Sequence, residues 1–282
     1  MKLYSLETGN FKLDGGAMFG VVPKMIWNKS YPSDEKNLIG MAARSLLIDT
    51  GNRLILIDSG IGNKQDQSFL KHYHLYGENT LEKSLNKLGY KKEDITDNIL
   101  THLHFDHCGG SVDYCDDHKS FLPAFKNAKY YIGKAQWESA NNPNSREKAT
   151  YLNENYIPLY ESGQLKLIEK EEEILPCISI KIFNGHTDGQ LIPHIRTNKG
   201  TVVFMADLIP FTTHIHLPFI MSYDIRAVDS LKEKEFFLID AIKYNYILFF
   251  QHDIYNECCR VELTEKGYRP YEVSDLVKIF NN

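Results

Sequence analysis

A layered α/β fold is what this 282-residue sequence predicts, from three observations. Strand-like and helix-like stretches alternate along the chain, which favours layers over a helical bundle or a pure β-sandwich. Two strand pairs are each joined by a short turn signal. The hydrophobic content, 43%, is ordinary for a globular chain able to bury a sizeable core.

In chain order, the first forty residues read as an irregular apolar loop, because "GGAMFGVVPKMIWNKSYPSDEKN" mixes Gly and Pro with large apolar side chains. "RSLLIDT" and "RLILIDSG", split by a Gly-Asn turn, predict a hairpin. Gln65 to Leu88 reads as two helices, and "ITDNILTHLH" as a short buried strand. "AKYYIG" predicts a strand, then "KAQWESA" and Ser145 to Glu154 predict helices. "CISIKIFNGH" returns to strand, and "GQLIPHIRTNKGTVVFMAD" predicts a second hairpin turned by "NKG". A helix from about Ser230 to Tyr244, a strand "YILFFQH" and a closing helix from Val273 to Phe280 complete the expectation.

Composition excludes some functions. Lys and Arg total 32 against 37 Asp and Glu, a formal net charge of -5, so no basic field awaits a nucleic-acid backbone. "MKLYSLETGNF" lacks the apolar core of a secretory signal, and no apolar run approaches the roughly 20 residues that span a bilayer. A soluble, cytoplasmic protein with no membrane partner is expected. Five cysteines, an odd number, do not form a disulfide framework by pattern, and reduced thiols fit that compartment.

The chemistry concentrates in "THLHFDHCGG", residues 101 to 110. His102 and His104, two apart on an extended segment, point the same way, and Asp106 and His107 follow as the strand turns into a helix. Imidazole and carboxylate suit zinc, manganese or iron, and the cluster holds no cysteine pair of the structural-zinc kind. Gly109 and Gly110 fit a place where backbone turns tightly or approaches another element. Three further donors follow predicted strands: His186 in "NGHTDG", Asp207 in "FMADLIP" and His252 in "FFQHD". Loops at one sheet edge are where layered α/β folds gather ligand-binding groups.

With these residues the sequence resembles the metallo-β-lactamase-fold hydrolases, in particular the branch of N-acyl-homoserine lactonases and organophosphate and aryl-ester hydrolases. The resemblance implies an α/β fold of the four-layer αββα sandwich type, one hydrolase domain over residues 1–282, with 1–40 as its irregular apolar extension. It implies one metal held by His102, His104 and His186, a second by Asp106, His107 and His252, and Asp207 bridging both. Asp58 in "LIDSG" is then expected to orient a ligand histidine; as a plain turn carboxylate it would cap the following loop instead.

Two divalent ions, Zn2+ first and Mn2+ or Fe2+ as alternatives, about 3.5 Å apart would share a hydroxide at neutral pH and deliver it to a lactone, carboxylic ester or organophosphate. Asp106 is the residue placed to handle the proton of the attacking water. Lactonases often carry a tyrosine three residues beyond the bridging aspartate, where this chain has Pro210, leaving Tyr223, His214 and His216 as candidates to assist the leaving group. Phe19 and Trp27, with Met18, Val21, Val22, Met25 and Ile26, wall an acyl pocket or form a homodimer contact. A glyoxalase II-like thioesterase and a non-catalytic metal-binding or redox-sensing protein are the competing readings. His72, His74, His118 and His194 read as surface or packing residues, and Cys108 as a small core hydrophobe.

Overall fold

The computed structural model describes residues 1–115 and 119–280, in two compact units. Met1–Asn10 with Ala43–Lys170 form the first, and Phe11–Ala42 with the chain from Glu171 onward form the second.

The first unit is organised by a six-stranded sheet, in the order Lys2–Asp14, Leu38–Asp49, Leu54–Ile57, Asp97–Ile99, Lys129–Gly133 and Leu165–Ile168. The expected hairpin is present: Leu38–Asp49 and Leu54–Ile57 pair antiparallel with Leu47 opposite Leu56. Asp97–Ile99 lies between two parallel neighbours, Leu54–Ile57 and Lys129–Gly133. A mid-sheet strand with two polar residues needs partners for both. Asp97 accepts both contacts of Arg53 Nη1 and one from Tyr131 Oη, and Asn98 donates to the Leu56 carbonyl. Leu47, Leu56, Leu85, Leu100, Phe125 and Tyr130 are fully buried in this unit's core.

The second unit carries a seven-stranded sheet: Gly267–Ser274, Cys258–Thr264, Ile247–Phe249, Gly200–Phe204, Gln190–Thr197, Ile178–Phe183 and Glu173–Leu175. The second expected hairpin is its centre, with His194 opposite Val203. Helix Ala227–Lys243 buries Ser230, Lys234, Phe237, Leu238 and Ala241, one face at helical spacing.

Four expectations are corrected. The first forty residues are not irregular throughout: Lys2–Asp14 is a strand, and Gly15–Phe19 and Lys24–Trp27 are short helices. The strand buries Leu3, Leu6 and Phe11, a spacing that breaks the period-2 pattern by which strands are read. Ser145 to Glu154 is no α-helix but turns over 145–150 followed by a one-turn 3-10 helix, Asn153–Asn155; the Asn144 side chain accepts from the backbone N–H of Arg146 and Glu147 and offers an alternative to helical bonding. The hairpin Cys258–Thr264 with Gly267–Ser274 was not expected at all. His72 and His74 lie on a one-turn 3-10 helix and its left-handed cap rather than on a full helix. His118 lies outside the described residues. Among the described residues no helix is long and apolar enough to cross a membrane.

Candidate metal centre

In the first unit the donors sit where the strand Asp97–Ile99 ends. Thr101 and His102 continue from it, His104 keeps extended backbone, and Phe105–Cys108 forms one helical turn. Two backbones hold this turn against the loop at 58–62. Ser59 N donates to the His107 carbonyl, and Gly110 N to the Gly60 carbonyl. A Cβ on Gly109 would fall inside the Ile61 carbonyl oxygen, and one on Gly110 inside that of Ser59, so only glycine fits either place.

His102, His104, Asp106 and His107 are all buried. His102 Nε2 and His104 Nδ1 converge at 3.1 Å, and His107 Nε2 lies 3.7 Å from an Asp106 carboxylate oxygen. Asp58, held at a left-handed φ of 55°, accepts from Thr101 N and Thr101 Oγ1 and lies 2.9 Å from His107 Nδ1. That contact places the His107 hydrogen on Nδ1 and leaves Nε2 as the bare donor.

The second unit supplies the other three. His186 follows the strand Ile178–Phe183, and its loop is pinned by Glu233, whose carboxylate accepts from Asn184 N and Gly185 N at 2.8 Å. Asp207 follows Gly200–Phe204, one residue past Ala206 at a φ of 42°. Its Oδ2 lies 3.0 Å from His186 Nε2 and its Oδ1 3.0 Å from His252 Nε2. Each ring is fixed from behind: His186 Nδ1 is 2.8 Å from Asp224 Oδ1, and His252 Nδ1 donates to the Ala42 carbonyl at 2.8 Å. Burial pushes the His186 pKa down, but Asp207 and then Asp224 outweigh it and raise it to about 10.

These donor sets fit divalent metal ions. With Nδ1 tied to an acceptor, a neutral histidine turns a lone pair at whatever faces Nε2, and here that is a carboxylate oxygen. Two acceptors at 3.0 Å repel unless a proton or a cation lies between them, and imidazole with carboxylate is a zinc-type donor set.

The expected pocket residues are placed differently. Phe19 and Trp27 are buried and stack at 4.9 Å, and His214 is buried against Phe19 at 4.8 Å, donating from Nε2 to the Met18 carbonyl. They serve this unit's aromatic core rather than an open wall, because a large ring gains most where water is excluded. Burial, then Lys234, lowers the His214 pKa to about 3, so the ring is neutral. His216 is partly buried, with Nδ1 2.7 Å from Arg269 Nη1. Tyr223 is exposed, as are Val21, Met25 and Ile26. Asp224 and Glu233 were missed by sequence reasoning, since a single carboxylate, on a loop for Asp224 and on a helix for Glu233, carries no spacing signal.

The model of the Metallo-beta-lactamase superfamily matches residues 39–252, a stretch that contains all seven candidate donors. The chain belongs to the metallo-beta-lactamase superfamily. As a member it is a metal-dependent hydrolase with that superfamily's mixed α/β fold, and it binds divalent metal. The chain is similar to an N-acyl homoserine lactonase of Bacillus cereus, 27% identical over 78% of this chain and 85% of the relative. A second relative, the N-acyl homoserine lactonase AiiA of Bacillus thuringiensis subsp. kurstaki, is 26% identical over 92% of this chain and 96% of its own. A solved structure from Staphylococcus aureus, described as a probable metal-dependent hydrolase, superposes with a TM-score of 0.85 and 32% identity over 97% and 98% of the two chains. AidC, a dizinc quorum-quenching lactonase, shares the fold at a TM-score of 0.79 and 23% identity, over 97% of this chain and 95% of its own.

Proposed function

We propose that this hydrolase opens lactone rings or cleaves related carboxylic esters and organophosphates, with an N-acyl homoserine lactone as the first substrate to test. The two units act as one catalytic domain in this reading. One ion would be held by His102, His104 and His186 and another by Asp106, His107 and His252, with Asp207 available to both. Zn2+ is the leading ion, with Mn2+ or Fe2+ as alternatives. The observation that carries the reading is Asp207, which turns one carboxylate oxygen to His186 and the other to His252. The lactonase relatives, aligned over most of the chain, support the substrate class.

When bound at such donors, divalent ions lower the pKa of water and polarise a carbonyl or phosphoryl oxygen. The protein's own residues do the rest. Asp58, Asp224 and the Ala42 carbonyl lock three rings before substrate arrives, so no reorganisation is left for the reaction. Asp106 takes the proton of the attacking water. For the leaving alkoxide we assign Tyr223, because His214 is neutral and packed and His216 is engaged by Arg269. The exposed Val21, Met25 and Ile26 make a homodimer contact, and five free thiols suit the cytoplasm.

The test is hydrolysis by zinc- or manganese-loaded protein of an N-acyl homoserine lactone, an aryl ester, an organophosphate triester and S-lactoylglutathione, beside Asp106→Asn. Lactone or ester turnover that collapses in the variant is expected. Turnover of the thioester alone overturns the substrate class.

A further inference from the structure

The turns at 144–151 deliver a carboxylate to the first unit's donors. Glu147 is 3% exposed, and its Oε1 lies 3.5 Å from His104 Nε2, the ring nitrogen opposite the one that converges on His102. The carboxylate is itself fixed. Tyr151 Oη donates to Oε1 at 2.8 Å, and Asn144 Nδ2 donates to Oε2. Gln136 Nε2 donates in turn to Tyr151 Oη at 3.0 Å, while Gln136 Oε1 accepts from Leu103 N at 3.4 Å, next to His104. Phe105 N donates to the Thr150 carbonyl at 3.1 Å, so the backbone after His104 is tied to this segment and the backbone before it to Gln136. The Tyr151 ring packs against His104 with centroids 5.2 Å apart.

We propose that Glu147 is the positioning residue of His104. Its charge holds the ring hydrogen on Nε2 and thereby leaves Nδ1 as the nitrogen that binds metal. A buried carboxylate near an imidazole favours the tautomer whose N–H faces it, and raises the basicity of the other nitrogen. At 3.5 Å the attraction is chiefly coulombic, and Tyr151 with Asn144 keeps the carboxylate from rotating away. The proposal rests on the reading of His104 as a metal ligand.

The experiment combines zinc affinity, by competition with a chromogenic chelator, with 15N NMR of the histidine rings in zinc-loaded wild type, Glu147→Gln and Tyr151→Phe. In the wild type, His104 should show a protonated Nε2 and a zinc-bound Nδ1. Glu147→Gln should weaken zinc binding about 10- to 100-fold. Wild-type affinity in a folded Glu147→Gln, or His104 bound through Nε2, would overturn the proposal. Should Glu147→Gln fail to fold, Tyr151→Phe decides, because loss of the hydroxyl that fixes Oε1 should weaken zinc several-fold in a variant that is less stable but still folded. Unchanged zinc affinity there would also overturn it. A wild type that takes up no zinc would instead sink the ligand reading beneath it.

Discussion

His252 donates its Nδ1 hydrogen to the backbone carbonyl of Ala42 at 2.8 Å. A carbonyl only accepts, so this bond fixes the tautomer and turns Nε2 toward Asp207 Oδ1, 3.0 Å away. Asp207 makes the same contact to His186 with its other oxygen, so a neutral amide there would present a hydrogen where a cation is needed. Asp207→Asn should therefore lose bound metal on dialysis and lose hydrolysis by at least about 100-fold, the upper end of what mere supporting residues cost. Elemental analysis beside steady-state rates checks this. Full metal content with undiminished turnover would remove Asp207 from the ligand set.

A pH dependence follows from His186. Its folded-state pKa stands at about 10 against an ordinary 6.5: burial lowers it, and Asp207 and Asp224 more than restore it. For a raised pKa the added stability is complete below 6.5 and is lost as the pH climbs toward 10. Zinc-free protein should then melt at steadily lower temperature across that window. Zinc replaces the proton, so the loaded protein should show a flatter profile. Calorimetry of both forms is the check, and a flat profile for the zinc-free form contradicts the His186 argument.

Gly110 faces backbone rather than a movable side chain. Its missing Cβ is what lets the motif's turn meet the Ser59 carbonyl, and the Gly110 N to Gly60 bond depends on that approach. Gly110→Ala should cost about 3 kcal/mol, at the upper end for overpacking, because a carbonyl cannot rotate aside as a rotamer can. Denaturant unfolding measures it. Wild-type stability would mean that the two backbones have room to part.

The motif was legible because four donors fall within six residues at one strand end, and that density survives without any long-range information. His186, Asp207 and His252 were legible because each follows a strand strong enough to read from its apolar run. Glu147, Asp224 and Glu233 were not, since each acts through a partner dozens of residues away or on an irregular loop. The hairpin Cys258–Thr264 with Gly267–Ser274 escaped for a different reason. Its second strand is nowhere fully buried, so hydrophobic alternation hardly marks it. The burial of Phe19 and Trp27 was not legible, because apolar residues in a loop-like sequence look the same whether they face a ligand or their own core.

Lys234 is 1% exposed on the helix Ala227–Lys243, and its Nζ donates to the carbonyls of His214, His216 and Phe219 at 3.0, 3.2 and 2.7 Å. Three acceptors match the three hydrogens of an ammonium, and together they fix the turn that leads to Tyr223 and Asp224. Burying the charge costs much of what those bonds return, so the lysine's net worth is modest while it is present. Removing it is another matter. Lys234→Met keeps the length and apolar stem but leaves the buried His214 carbonyl and the part-buried carbonyls of His216 and Phe219 facing a thioether, and should cost about 2 kcal/mol, most of it at His214. Because Asp224 holds His186 from the same stretch, zinc affinity should fall alongside stability. Unfolding and chelator competition on one preparation separate the two effects. A variant as stable as the wild type would mean that the turn holds without its cation, and normal zinc affinity in a destabilised variant would mean that Asp224 is positioned independently of it.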